Sequence, residues 1–348
     1  MNRSGVRTEP FNWLIVSAAA AVGLLQVLGA LQVRDEPYRG YRTHGDGVIS
    51  QVAAGGPAER AGLKAGDRLI RVDGIDARDR RADEARVRVR IGQTQTIVVD
   101  RRGQVVEGRL VVTGLPRADA AAYLVSVVTG LSFLACGLCA YVMAPRLATR
   151  LLAIAGVGVG GVFTEMPYFA SPAARSIQET GLIVAGVLGF GALFHLILVL
   201  SGVRARRGRK AAVRAIYTSA AIVCAGKIVA TGLAGGRRTD LADLTTTVSL
   251  VLILLYFCST IVVLLIGYVG ATRAQRTGRG LTGLAVGLLL GLAPMVPTAI
   301  GLVAPAVVLP GSDYYDMVWV LIPFALTRAV VLQARSEQEA VDPRSVES

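Results

Sequence analysis

The stretch Gly47-Val-Ile-Ser-Gln-Val-Ala-Ala-Gly-Gly-Pro-Ala-Glu-Arg-Ala-Gly-Leu-Lys-Ala-Gly-Asp-Arg-Leu-Ile-Arg-Val-Asp-Gly74 decides how the one long polar part of this chain folds. Short β-type runs alternate in it with turn residues. The spacing predicts a strand over 47–52, a Gly-rich turn, and a short helix that starts at Pro57 and is ended by Gly62. Proline just inside a helix start and glycine just past its end follow the usual asymmetry of helix termini. A tight turn at Ala65-Gly66-Asp67 leads into a strand over 68–72, and Asp73-Gly74 is a strong turn signal after it. Two more alternating runs, 95–101 and 105–113, flank Arg102-Gly103 and read as a hairpin.

Outside this segment the chain is apolar. It has 348 residues, 53% of them hydrophobic, and a mean hydropathy of +0.54. The apolar residues come in blocks, and a membrane-spanning helix needs roughly 20 of them in a row. Blocks at about 12–33, 119–143, 151–170, 180–202, 212–234, 246–270, 281–305 and 315–333 meet that length. The expected fold is an α-helical polytopic membrane bundle of about eight spans with one small inserted α+β domain. Residues 1–33 hold a cytoplasmic N-terminus and the first span, 34–116 the insert, 117–334 a seven-helix region and 335–348 a cytoplasmic tail. Arg3 and Arg7 ahead of the first block, with small residues near Gly29-Ala30, would also suit a cleaved signal peptide, but Trp13 to Val33 is long for one.

The chain carries 37 Lys+Arg against 24 Asp+Glu. These charges do not form a basic groove for nucleic acid, and no nucleic-acid partner is expected. They sit in short loops between apolar blocks. With a cytoplasmic N-terminus, the inside loops hold eleven basic residues: Arg146 and Arg150; Arg204, Arg206, Arg207, Arg209, Lys210 and Arg214; Arg273, Arg276 and Arg279. The outside loops hold Arg175, Arg237 and Arg238. Retention of Lys and Arg on the cytoplasmic side therefore predicts cytoplasmic termini and an extracytoplasmic insert. The four cysteines all fall in expected spans, so Cys136-Gly-Leu-Cys139 reads as apolar packing, with no disulfide, metal or cofactor expected.

Gly55-Gly-Pro-Ala-Glu-Arg-Ala-Gly-Leu-Lys-Ala-Gly-Asp67, followed by Ile70 and Val72-Asp-Gly74, resembles the core of a bacterial PDZ domain. The same block occurs in periplasmic chaperone-proteases of the trypsin type, carboxyl-terminal processing proteases and site-2 proteases. The resemblance covers roughly a quarter of the chain and places it in a bacterial inner membrane. It implies binding of a peptide or protein C-terminus as an added strand, with backbone amides capturing the terminal carboxylate. By resemblance the capturing loop is Tyr38-Arg39-Gly40-Tyr41, in which Arg39 replaces the apolar residue often found there.

Catalytic motifs are missing from the places they would occupy. A zinc site-2 protease needs paired histidines one helical turn apart, and the two histidines here, His44 and His195, are far apart. His44 lies in the PDZ segment and His195 in a span without a nucleophile context, so no serine triad is read. The tail after Arg335 is too short for a kinase domain. The reading is non-enzymatic.

One span, an extracytoplasmic PDZ insert and seven further spans resemble the sensory half of multi-span histidine kinases, including the competence-type quorum sensors. Leu321-Ile-Pro-Phe-Ala325 with Arg328 resembles the stretch by which those kinases leave the membrane. Intramembrane ionisable groups are costly and mark function by default. Glu165 and Lys227 are expected at similar depth, able to pair or to snorkel outward, and His195 is expected to make an interhelical hydrogen bond. Pro294, Pro297 and Pro305 interrupt the seventh expected span and Pro323 the eighth. The glycines of Gly156-Val-Gly-Val-Gly-Gly161 suit close helix packing. The expected function is a membrane sensor or regulator whose PDZ domain binds a C-terminus and signals through the bundle to a separate partner such as a cytoplasmic kinase. The alternatives are a PDZ adaptor for an envelope protease and a transporter-like protein.

Overall fold

Long apolar runs must satisfy every backbone group internally, and only a helix does so within one segment. The computed structural model describes residues 10–43, 47–77, 89–163, 167, 169, 171–202, 206–234, 239–278, 280–291 and 317–341. Among them the apolar runs are all helical. The helices are α1 (Pro10–Gln32), α3 (Arg117–Met143), α4 (Leu147–Val162), α5 (Pro172–Leu200), α6 (Arg206–Ala234), α7 (Asp240–Gly270), the short α8 (Arg273–Gly278), α9 (Leu281–Gly291) and α10 (Leu321–Val341). Six segments are long and apolar enough to cross a membrane: Trp13–Gln32, Arg117–Met143, Ala173–Leu200, Gly208–Ala234, Asp240–Gly270 and Met317–Ala334. These six candidate spans among the described residues, in a mostly helical chain, suggest a membrane protein.

The other two of the eight expected blocks fall on α4 and α9, whose described helices are shorter. α4 has 16 residues, about 24 Å at 1.5 Å per residue, and α9 has 11. α4 stops at Val162 shortly before Pro167, which cannot continue a helix and disfavours helical backbone in the residue before it. The expected continuation of α9 through Pro294, Pro297 and Pro305 lies outside the described residues. Pro323 does not break α10. It stands in the first turn, where its missing N–H needs no partner. α5 starts eight residues before its expected boundary because Ser171 accepts the Ala174 N–H at 3.5 Å and Pro172 begins the helix. Thr239 caps α7 in the same way, accepting the Ala242 N–H at 3.2 Å.

Successive long helices run antiparallel, and α4 is the best-buried of them. Its glycines set the spacing. A Cβ on Gly156 or Gly160 would meet the backbone of Phe133 or Gly130 on α3, at 2.5 and 2.7 Å. A Cβ on Gly158, on the opposite side, would collide with the carbonyl of Ala185 and lie 2.5 Å from the Cα of Gly189 on α5. The bundle core continues through Leu152, Val159, Leu193, Leu196 and Ile197 to Leu264, Leu284 and Ile322.

The insert leaves and re-enters the bundle at one end. A 3-10 turn, Val33–Asp35, follows α1. β1 (Pro37–Tyr38) then pairs antiparallel with β8 (Thr113–Gly114), the last strand before α3. Between these lie β2 (Tyr41–Thr43), β3 (Ile49–Val52), a one-turn helix α2 (Pro57–Arg60), and a four-stranded sheet ordered β5 (Ile75–Asp76), β4 (Arg68–Val72), β6 (Thr94–Arg101), β7 (Gln104–Val111). Asp73 (φ 51°) and Gly74 (φ 80°) turn β4 into β5, and Arg102 and Gly103 turn β6 into β7. Ile49, Leu63, Leu69, Val72, Ile97 and Leu110 form its core.

One buried charge stabilises this core's edge. The Asp67 carboxylate, 2% exposed, accepts Arg101 Nε at 2.8 Å and Nη2 at 2.7 Å, plus the Lys64 N–H at 2.8 Å. Hydrogen bonding to Arg101 holds the Asp67 carboxyl below the usual carboxylate range, against the opposing effect of its burial.

Two outcomes follow from these contacts. Gly158→Leu places a side chain where α4 and α5 touch backbone to backbone and costs about 1–3 kcal/mol or more. Thermal unfolding in detergent checks this, with Gly181→Ala, which meets nothing within 4 Å, as a neutral control. The folded-state pKa of Asp67 lies below its unfolded value, so its stabilisation is complete above the usual carboxylate range and is lost as pH falls below that range through the lowered folded-state value. Methyl NMR of Ile49 and Ile97 during thermal unfolding reads this: the insert loses midpoint temperature on acidification, and Asp67→Asn loses less while starting lower at neutral pH.

Candidate functional site

The Tyr38–Tyr41 loop joins β1 to β2 at the edge of the insert nearest the bundle. Tyr38 is held by its pairing with Thr113. Its hydroxyl pKa is pushed up, first by burial and then by the negative charge of Asp119 in the first turn of α3, with Arg42 opposing. Arg39 Nε donates to Gln95 Oε1 at 2.9 Å, Gln95 Nε2 donates to Asp73 Oδ2 at 3.0 Å, and Asp73 Oδ1 accepts the Thr96 N–H at 2.8 Å. The guanidinium is thus tied into the sheet through a fully buried glutamine.

Gly40 is where the loop requires glycine. Its φ is +75°, and a Cβ there would lie 2.9 Å from Cδ and 3.1 Å from N of Pro57 at the start of α2. The Gly40 carbonyl turns inward to accept the Ala53 N–H at 2.8 Å, and among the described residues its own N–H has no acceptor. Tyr41 packs its ring against the core of the insert, and its buried hydroxyl has no hydrogen-bond partner among the described residues. β2, which starts at Tyr41, pairs with β3 on one side, and among the described strands none pairs with its other edge. The local arrangement is therefore a glycine amide beside an unpaired strand edge. It has the elements needed to hold a carboxylate and extend a sheet by one peptide strand.

Of the expected intramembrane residues, the two described, Lys227 and His195, sit in separate interhelical contacts. Glu165 and His44 lie outside the described residues. Lys227 on α6 is 6% exposed and points into the bundle, donating to Thr246 Oγ1 at 2.7 Å and to the Ala242 carbonyl at 3.4 Å on α7. Thr180 on α5 meets Thr231 on α6 at 2.8 Å near the same level. His195 Nδ1 lies 3.0 Å from the Tyr217 hydroxyl, an α5–α6 interhelical hydrogen bond with the two rings edge to face. These contacts staple helices.

Sequence reasoning missed Gln26. This α1 side chain is fully buried, its Nε2 donates to the Gly160 carbonyl at 2.9 Å, and it occupies the gap that glycine leaves at position 130. The available signal was an amide in the middle of an apolar span, away from Asn12 and Gln32 at its ends.

Comparisons with known proteins bear on the insert. A family model described as PDZ domain matches residues 48–99. The mouse Na(+)/H(+) exchange regulatory cofactor NHE-RF2 is 38% identical over 76 residues, 20% of this chain. The chain spans 23% of that relative's length. A crystal structure of a serine endoprotease from Yersinia pestis matches with 28% identity over 24% of this chain and 30% of its own, at a TM-score of 0.21. The matched block contains β3, α2, β4 and β6, the strands and helix that pack around Ile49, Leu69 and Ile97. Residues 48–99 are a PDZ domain.

Proposed function

We propose that this chain is a non-enzymatic membrane sensor whose PDZ domain takes a peptide or protein C-terminus along the free edge of β2. The observation that carries the reading is the Gly40 amide, held by a positive φ against Pro57 and without an acceptor among the described residues, at the head of that edge. PDZ domains bind peptide C-termini, and the main chain supplies the affinity in such strand addition. The ligand carboxylate sits at Arg39-Gly40, and its last residues run beside Tyr41–Thr43.

Charge distribution supports an orientation. Arg146, Arg150, Arg209, Lys210, Arg214, Arg273 and Arg276 gather at the end of the bundle away from the PDZ domain, while Asp119, Glu179, Asp240 and Asp243 lie at the near end. Under the positive-inside rule the far end is cytoplasmic and the PDZ domain is extracytoplasmic, as in a multi-pass protein of a bacterial inner membrane. The bundle then signals to a separate cytoplasmic partner.

Binding is read with the full chain in nanodiscs, titrated with a C-terminal peptide library. Peptides with free carboxylates bind, their amidated forms bind at least about tenfold more weakly, and Gly40→Val removes binding because its side chain meets Pro57 and its backbone resists positive φ. Equal binding of amidated peptides overturns the C-terminal reading. In-membrane cross-linking of the full chain against a 34–116 deletion then separates the roles: a transmitter among the partners supports a sensor, whereas a protease with clients lost on deletion makes the protein an adaptor.

A further inference from the structure

The PDZ domain is joined to the bundle by two chain segments, and both are gripped. β1 and β8 pair with each other, Pro37 opposite Gly114 and Tyr38 opposite Thr113, so the way in and the way out form one two-stranded neck. The neck continues on one side through the Val33–Asp35 turn into α1 and on the other into α3. That turn packs against both α1 and α3, with Val33 4% exposed. The candidate carboxylate loop begins at the neck itself, since Tyr38 is both the last residue of β1 and the first of the loop.

α1 is attached to the bundle along a narrow seam. Ile15, Ala19, Gln26 and Gly29 are its buried positions, with Val22 half-buried between them, and Val33 continues the row in the turn that follows. Their alternation of four and three residues is the spacing of a coiled-coil seam, and its outer face is left to lipid. Gln26 is the one polar side chain of α1 that is buried among the described residues. It reaches the Gly160 carbonyl, exposed to it because Gly130 and Gly160 bring α3 and α4 into backbone contact. A single polar residue in such a seam fixes register, because any rotation or slide strands its amide in apolar surroundings. The Gln26 Oε1 is already buried without a partner among the described residues. Among the described residues the amide is held at one setting by a single hydrogen bond.

We propose that the β1–β8 neck and the Gln26 pin form one mechanical coupling, through which a displacement of the Tyr38–Tyr41 loop changes the register of α1 against α3 and α4. The proposal deepens the sensor reading and rests on it for the identity of the input, a C-terminal peptide strand. The coupling itself needs no ligand to be measured. A displacement of β1 cannot be absorbed by its own connection, because β8 moves with it and α3 is packed on the same turn. The seam of α1 is the weakest contact in reach, and Gln26 defines its discrete setting.

Coupling free energies are reciprocal, so the test runs in both directions on the full chain in nanodiscs. From the neck inward, Thr113→Pro removes an N–H from β8. In a background with all four cysteines replaced by alanine, the rate of disulfide formation between Ile15→Cys and Tyr141→Cys, which pack together where α1 meets α3, changes by about fivefold or more. From the seam outward, Gln26→Leu keeps an apolar side chain of similar size, and amide hydrogen exchange of residues 36–40 and 112–115 accelerates by about fivefold or more. Unchanged Ile49 and Ile97 methyl signals show in each variant that the PDZ domain remains folded. If either direction shows no change while those signals persist, the domain is a passive passenger on α1 and α3 and the coupling is overturned. Peptide titrations on the same variants report the sensor reading separately: loss of all peptide binding in the wild type sinks that reading and leaves the coupling result standing.

Discussion

The bundle depends on the absence of side chains along α4. Gly156 and Gly160 admit the backbone of α3, and Gly158 admits that of α5, so three helices meet at main-chain distance. Lipid tails are as apolar as leucine, and burial alone therefore does not drive helices together in a membrane. Close packing and interhelical hydrogen bonds do. The same approach of α3 to α4 presents the Gly160 carbonyl to Gln26 and so seats α1. It also orders the aromatic contacts beyond, where Phe133 stacks on Phe163 at 5.7 Å and Phe163 meets Trp319 at 4.5 Å. Helix α4, 16 residues long and largely buried, is wedged between α3 and α5.

The PDZ domain obeys a different solvent. In β6, Thr94–Arg101, buried residues alternate with more exposed ones, and Asp67 pairs with Arg101 at its end. The Asp67–Arg101 contact joins the turn before β4 to the end of β6, and Gly108 on β7 leaves room for the Ala61 carbonyl after α2. These local requirements hold the domain as a unit, while the neck holds it to the membrane part. Attachment and the proposed ligand loop consequently lie on one short segment, from Val33 to Tyr41.

Polar side chains inside the helices divide by what they reach. Lys227, His195 and Tyr256 each find a partner on a neighbouring helix, with Tyr256 donating to the Ile216 carbonyl at 2.7 Å. Such bonds contribute modestly, because the separated helices in a membrane find other partners too. Their value is in fixing rotation and depth. Gln26 differs by leaving one buried acceptor unpaired among the described residues, so its setting is specific without being saturated.

Much of this architecture was legible in the sequence. Apolar run length located the helices, turn residues located β3, β4 and the β6–β7 hairpin, and the Gly55–Asp67 block identified the PDZ domain, because each of these signals is local and repeats with the period of its element. The loop Tyr38–Tyr41 was singled out by resemblance, and it lies between β1 and β2. Three things were not legible. The end of α4 at Val162 fell short of the expected block 151–170, since hydropathy does not register where a helix must end. The ties of Arg39 to Gln95 and Lys227 to Thr246 join residues distant in sequence, which no local pattern specifies. The β1–β8 neck and the burial of Gln26 likewise arise only when the ends of an 80-residue insert are brought together on adjacent helices. Local propensity and hydropathy determined the elements of this protein, and tertiary packing alone decided which polar groups face each other, because those pairings depend on helix approach and rotation rather than on sequence spacing.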